Sequence, residues 1–309
     1  YAYGLSYTSE QIISEYLYYF PNGKQAKIFD RNLNEVSFGD KFKKDFEAIL
    51  NFMKPNKLFL SVSANYSAVK EAELVFLFFK EDLIFYPLPL EISNWLEYSI
   101  ERFTKEPELK KIFIDFMKSV DTPIQSIDTK FEKTQMTPEF IPDNIPDEFK
   151  PIFAQAKEVT RSEANINYGL FSVNLNEESK GIQKLFEVFG PIIDIILKDK
   201  VLIWDEMETS LHPRIVKEIL RLIMYGKRDS KAQLIFSTHD TNLLDLNTFR
   251  RDQIWFTELN KDRETDIYSL AELKNVRKDE NISKGYMNGK YGAIPFIHNP
   301  LVFPVEEGC

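Results

Sequence analysis

Residues 201–211, VLIWDEMETSL, set four apolar or aromatic residues directly against two adjacent carboxylates, Asp205 and Glu206. A short continuous apolar run of this kind suits a central strand of a parallel sheet, buried on both faces. Carboxylates at its C-terminal end emerge in the crevice where open α/β sheets bind ligands. There Asp205 can hold a divalent cation through oxygen, and Glu206 can orient or deprotonate a water. Two acids ending a buried strand are costly without a cation or partner. The plainer alternative is a pair of strand-end acids capping a turn.

A second strand supports the first. Gln233–Phe236 is another short apolar run, followed by Ser237, Thr238, His239 and Asp240. Between the two, Pro213–Tyr225 places Ile215, Ile219, Leu222 and Ile223 on one helical face, with Pro213 at a permitted first-turn position. Strand, helix, strand at this spacing predicts a right-handed βαβ unit with adjacent parallel strands. Asp205, Glu206 and His239 then share one edge of the sheet. Beside the acid pair, an imidazole suits a hydrogen-bonding sensor of a γ-phosphate or of the attacking water; a satisfied structural histidine is the alternative. His212 reads as structural or as part of a subunit seam.

VLIWDE, the following TSLHP and the later IFSTHD resemble the Walker B, D-loop and switch-histidine segments of ABC-type ATPase heads. More narrowly, they resemble bacterial AAA-family ATP-binding proteins close to the OLD and SMC-like heads, found in phage-defence and abortive-infection systems. The likeness covers about Asn174–Asp245, and YGL near the start and GKYGAIP at Gly289–Pro295 are similar to family segments too. Glu178, Ser179, Lys180 and Gly181 open a helix, Ile182–Leu197, where the family carries its signature motif. The resemblance implies that Ser179, Lys180 and Gly181 contact ATP held by the opposite subunit, with Ser210 in the D-loop between subunits. A helix N-terminus suits that contact, since its N–H groups and dipole favour phosphate. The bland alternative is a capping serine, with Glu177 and Glu178 complementing the dipole.

One departure stands out. No G-x-x-x-x-G-K-[ST] occurs in these 309 residues, so the phosphate-cradling loop is not among them. Gly285–Lys290 has one residue too few between its glycines and no hydroxyl after the lysine, and reads as a decoy. The family places its phosphate loop before everything seen here. Tyr1 in place of an initiator Met points to a lost N-terminal part; otherwise ATP binding is not of the usual kind.

The net charge of −9 implies no general nucleic-acid surface, leaving open only a local basic patch. The single cysteine, Cys309, excludes an intrachain disulfide framework and a cysteine metal site. With no signal-like start and no apolar run of membrane length, a cytoplasmic protein without membrane attachment is the expectation. The 26 phenylalanines read as core.

Along the chain, Tyr1–Tyr7, Ile12–Tyr19 and Ala26–Phe29 read as an antiparallel β segment, with Arg31–Asn34 as a polar turn. Residues 41–128 read as an inserted helical lobe that scaffolds or contacts a partner. Residues 129–160, interrupted by Pro138, Pro142, Pro146 and Pro151, read as an exposed connector. Residues 161–309 hold the ATPase core, with a hairpin before the signature and two short strands after His239. That tail is too short for the Toprim nuclease that OLD-type proteins append, so an effector nuclease or toxin is expected as a separate chain.

The expected fold is therefore α/β: an ABC-type P-loop NTPase head with a parallel core sheet, an antiparallel β segment (1–40) and an inserted helical lobe. The expected activity is hydrolysis of ATP with Mg²⁺ by a homodimer of heads that controls the effector. Asp205 is the metal residue, and Glu206 and His239 are the catalytic ones. A non-hydrolytic scaffold or sensor that binds a protein partner is the first alternative. A metal-dependent nuclease built on Asp205, Glu206 and a neighbour such as Glu208 is the second.

Overall fold

The structure is a computed structural model, and it describes residues 1–87, 95–135, 158–274, 276–277 and 280–295. The chain divides into two compact units. The first comprises Tyr1–Tyr86, Ile195–Ile203 and Ser230–Ile235; the second comprises the other described residues.

The first unit opens with four strands: β1 (Ala2–Tyr7), β2 (Ile12–Tyr19), β3 (Ala26–Asn32) and β4 (Glu35–Phe38). They form an antiparallel meander in that order. The turn expected over Arg31–Asn34 is shorter than the polar residues suggest, because β3 runs on to Asn32 and Leu33 alone takes a positive φ of 53°. Arg31 belongs to the strand because its side chain points inward and is fully buried. Its guanidinium donates to the carbonyls of Leu33 (2.7 Å), Lys57 (2.6 Å), Lys54 (3.2 Å) and Pro55 (3.2 Å).

Helices α1 (Lys43–Glu47), α2 (Phe59–Tyr66) and α3 (Lys70–Leu77) and strand β5 (Leu83–Tyr86) follow. A helix start leaves backbone N–H groups unsatisfied, and Leu58 ahead of α2 offers no side-chain oxygen. Glu15 of β2 supplies it from 44 residues away, accepting the N–H of Phe59 at 2.6 Å and that of Leu60 at 2.8 Å. The Tyr3 hydroxyl donates to the same carboxylate at 3.0 Å, and Arg31 lies 3.7 Å from it. Burial pushes the Glu15 carboxyl up, while the two N–H bonds, Tyr3 and Arg31 pull the other way. Around this polar knot Leu17, Ile28, Phe29, Phe46, Phe59 and Val62 close an apolar core, with Phe29 and Phe59 ring centroids 5.0 Å apart.

In the second unit, α4 (Trp95–Lys105) and α5 (Pro107–Ser119) lead into β6 (Ser126–Gln135), β7 (Glu158–Asn167) and β8 (Ser172–Asn174), and then α6 (Lys180–Leu197). The hairpin expected before the signature segment is β7–β8, which pairs antiparallel. β6 pairs with β7 over ten residue pairs, from Ser126↔Asn167 to Gln135↔Glu158. Residues 129–135 and 158–160, expected in the connector, are therefore strand; 136–157 lie outside the described residues. The helices expected in 41–128 are present, but that stretch is not one body. Residues 41–86 group with the meander, and the described part of 87–128 with the second unit. The Glu15 tie to α2 is the physical reason.

Phe103 of α4 meets Phe113 of α5 and Phe186 of α6, each at 5.0 Å between ring centroids. Pro191 sits inside α6 and cannot donate to the carbonyl four residues back, that of Glu187. The Ser99 hydroxyl of α4 donates to that carbonyl instead, at 2.8 Å. Gly190 makes the approach feasible, since a Cβ there would lie 2.7 Å from Ser99 Oγ.

The parallel unit follows as read: β9 (Val201–Trp204), α7 (Pro213–Tyr225) and β10 (Gln233–Phe236), in the sheet order β10-β9-β5. Gln233 N–H bonds to Lys200 O at 3.0 Å and Ser237 N–H to Trp204 O at 3.0 Å, a register that advances in the same direction on both strands. His212 has a structural part: its Nδ1 accepts the N–H of Arg214 at 3.2 Å and caps α7.

β11 (Trp255–Leu259) and β12 (Thr265–Ser269) make a separate two-stranded ribbon, followed by α8 (Ile282–Met287). The lysine of the decoy glycine segment, Lys290, pairs with Glu280, which also accepts from the Tyr291 hydroxyl at 2.8 Å and from Arg277 N–H. Among the described residues, no helix is long and apolar enough to cross a membrane.

Arg31→Met strands the Glu15 carboxylate without its cation and removes the donor to four carbonyls. The expected loss is about 3–5 kcal/mol of unfolding free energy, read by urea denaturation. The bonds from Lys290, Tyr291 and Arg277 hold the Glu280 carboxyl down at about 2. A depressed folded value contributes stability above the ordinary carboxylate range, lost as pH falls through the folded value. An NMR titration of Glu280 should therefore show a midpoint near pH 2; a midpoint near 4 would mean the clasp does not form in solution.

Candidate functional site

The site grows from the ends of β9 and β10. After Trp204, fully buried, the chain leaves the sheet and exposes Asp205 and Glu206. After Phe236 the parallel strand exposes Ser237 and, two residues on, His239. Parallel register carries both segments out on one rim, because neighbouring parallel strands end at the same edge.

Ser237, which the sequence reading passed over, joins the two loops. Its hydroxyl donates to Asp205 Oδ1 in a short hydrogen bond, and its oxygen accepts the Glu206 N–H at 2.9 Å. Met207 N–H adds a bond to Ser237 O at 3.1 Å. The only signal for Ser237 was its place in IFSTHD, directly after the strand. Glu206 itself has a φ of 47°, in the left-handed region that costs a residue with a Cβ about 1 kcal/mol. That conformation turns its carboxylate toward the second loop. Glu206 Oε1 lies 3.9 Å from His239 Nε2, and Oε2 lies 3.4 Å from the Thr209 hydroxyl. The imidazole is 87% exposed and the Glu206 carboxylate 58%, so both present themselves to a ligand rather than to core. A separation of 3.9 Å is too long for a direct hydrogen bond and short enough for one water or phosphate oxygen between them.

Glu208, weighed above as a third acid of a nuclease cluster, turns to the other loop and accepts the His239 N–H at 2.7 Å. Among the described residues, no group of three or more His, Cys, Asp or Glu side chains is arranged to hold a metal ion. Asp205 with the Ser237 hydroxyl beside it is a hard oxygen set of low ligand count. That set fits Mg²⁺, which keeps several waters and takes one or two carboxylates plus phosphate oxygens.

The signature candidates lie at the start of α6. Ser179 Oγ accepts the N–H of Ile182 at 3.3 Å, the capping contact, and Lys180 Nζ donates to Gln183 Oε1 at 3.0 Å. Glu178 accepts from the Tyr168 hydroxyl at 2.6 Å. Gly181 is packed on the D-loop candidate of the same chain: a Cβ there would stand 3.0 Å from Ser210 O. Ser210 has a φ of 65°, so the turn that brings its carbonyl to the helix is itself left-handed. The fold thus joins Asp205, Glu206 and His239 on one rim, and Gly181 to Ser210. Ser179 and Lys180 are engaged within their own helix turn.

A family model described as "AAA domain, putative AbiEii toxin, Type IV TA system" matches residues 1–245. The chain belongs to this family. It is thus an AAA-family ATPase domain of abortive-infection type. No curated protein matches the chain. The AAA match runs from the meander through the βαβ unit and the His239 segment, and ends before β11.

Ser237→Ala deletes the one hydroxyl that ties the two loops. An expected cost of about 1 kcal/mol should appear in urea unfolding, and Ser237→Thr, which keeps the hydroxyl, should lose less. Equal losses would show the hydroxyl to be idle.

Proposed function

We propose that this AAA domain binds and hydrolyses ATP with Mg²⁺ as an ABC-type head, two heads closing on the nucleotide to control a separate effector in phage defence. The observation that supports this reading is the rim: one acid clasped at a strand end, a second 3.9 Å from an exposed imidazole, both loops cross-linked through Ser237.

Each group has a role its position suits. Asp205 would hold Mg²⁺ through a carboxylate oxygen or a bound water, with Ser237 keeping the carboxylate in place. When bound, the metal supplies charge neutralisation on the phosphate oxygens. Glu206 would orient the attacking water and take up its proton as the water oxygen bonds to the γ-phosphorus and the bond from that phosphorus to the departing ADP oxygen breaks. His239 would donate a hydrogen bond to the γ-phosphate, stabilising charge that shifts in the transition state. Ser179, Lys180 and Gly181 would face the nucleotide of a second head, with Ser210 at the seam. The packing of Gly181 on Ser210 supports treating signature and D-loop as one surface. The phosphate cradle is not among these residues, so catalysis is tested on a chain that carries one.

Glu206→Gln preserves shape and removes the base. Turnover of ATP should fall about a hundredfold or more while a nucleotide-bound dimer accumulates, read by phosphate release and light scattering. Hydrolysis at the wild-type rate would end the assignment of Glu206. Calorimetry with ATP and Mg²⁺ separates the scaffold alternative, which predicts no heat of binding.

A further inference from the structure

Glu208 has no part in the chemistry above, yet its carboxylate holds the segment that carries the imidazole. Glu208 Oε1 accepts the His239 backbone N–H at 2.7 Å. Burial pushes this carboxyl up, but the nearby Thr238 side chain and the His239 N–H outweigh it and hold it below the usual carboxylate range. It is therefore an anion at neutral pH, and its hydrogen bond is charge-assisted.

The main chain around Glu208 is fixed independently. Met207 N–H bonds to Ser237 O at 3.1 Å, Leu211 N–H to Glu208 O at 2.8 Å, and Thr209 N–H to Glu206 O at 3.0 Å. On the other loop, Asp240 Oδ1 accepts the N–H of Asn242 at 2.9 Å and starts the next turn. Between the Ser237 clasp and that turn, the Glu208 bond is what binds His239 to the acid loop. The imidazole itself is 87% exposed and gains little fixation from packing.

We propose that Glu208 is a positioning residue: it anchors the main chain of His239 to the acid loop and so sets the imidazole opposite Glu206. The inference rests on the reading of this rim as an ATP-hydrolysing site. Without the carboxylate, the His239 N–H turns to water, and the loop carries the imidazole away. A misplacement of about 1 Å can cost a hundredfold in rate.

Two variants of a chain that carries the phosphate cradle test it, Glu208→Ala and Glu208→Gln, each assayed for steady-state ATP hydrolysis with Mg²⁺ and for amide hydrogen exchange at His239. Glu208→Ala should lower kcat about tenfold or more, with KM for ATP changed about twofold or less. Glu208→Gln should recover most of the loss, because its amide oxygen still accepts the His239 N–H. Exchange at His239 should quicken about tenfold in Glu208→Ala and stay near wild type in Glu208→Gln. A kcat for Glu208→Ala near wild type, equal losses in both variants, or unaltered exchange would each overturn the proposal. If the wild-type chain fails to hydrolyse ATP, the functional reading falls, and the exchange comparison alone decides whether Glu208 fixes His239.

Discussion

A single hydroxyl, on Ser237, stands at the junction of two strand ends, giving its proton to Asp205 and its lone pair to the Glu206 amide. Both loops leave the sheet at the same rim only because β9 and β10 are parallel and in register. Parallel pairing is in turn imposed by the crossover helix between them. The left-handed backbone at Glu206 is tolerable because that amide is satisfied and the turn below it is closed by Thr209. The same backbone conformation recurs four residues on at Ser210, so the acid loop turns through two left-handed residues.

The βαβ unit was legible because its signals are local and redundant. Apolar runs of strand length, a helical stripe opened by Pro213 and acids at a strand end all agree. The rim followed from topology alone. Ser237 and the true orientation of Glu208 were not legible, since each depends on a contact across more than 30 residues and serine and glutamate are unremarkable beside a strand. Ser179 was readable both as a phosphate contact and as a cap, and the fold shows the cap because an isolated helix start satisfies its own N–H groups first.

Misjudged boundaries share a cause. Prolines between 138 and 151 suggested that an irregular stretch began at 129, but β6 and β7 extend into it because ten pairs of backbone partners outweigh a polar composition. The helical lobe was divided because helix stripes say which face is apolar, not which body covers it. Phe59 belongs with Phe29 and Phe46, and Phe103 with Phe186. Arg31, in a stretch that looks like a turn, is buried through a side chain that finds four carbonyls.

The acid that starts α2 lies in β2, so that helix lacks an independent beginning. The dependence is mutual: the first turn of α2 takes its acceptor from β2, and Arg31 of β3 takes its own acceptors at Lys54, Pro55 and Lys57, just ahead of that turn. It also defines a limit on recombination: a graft that moves α2 without residue 15 transfers a helix whose opening amides have lost their acceptor.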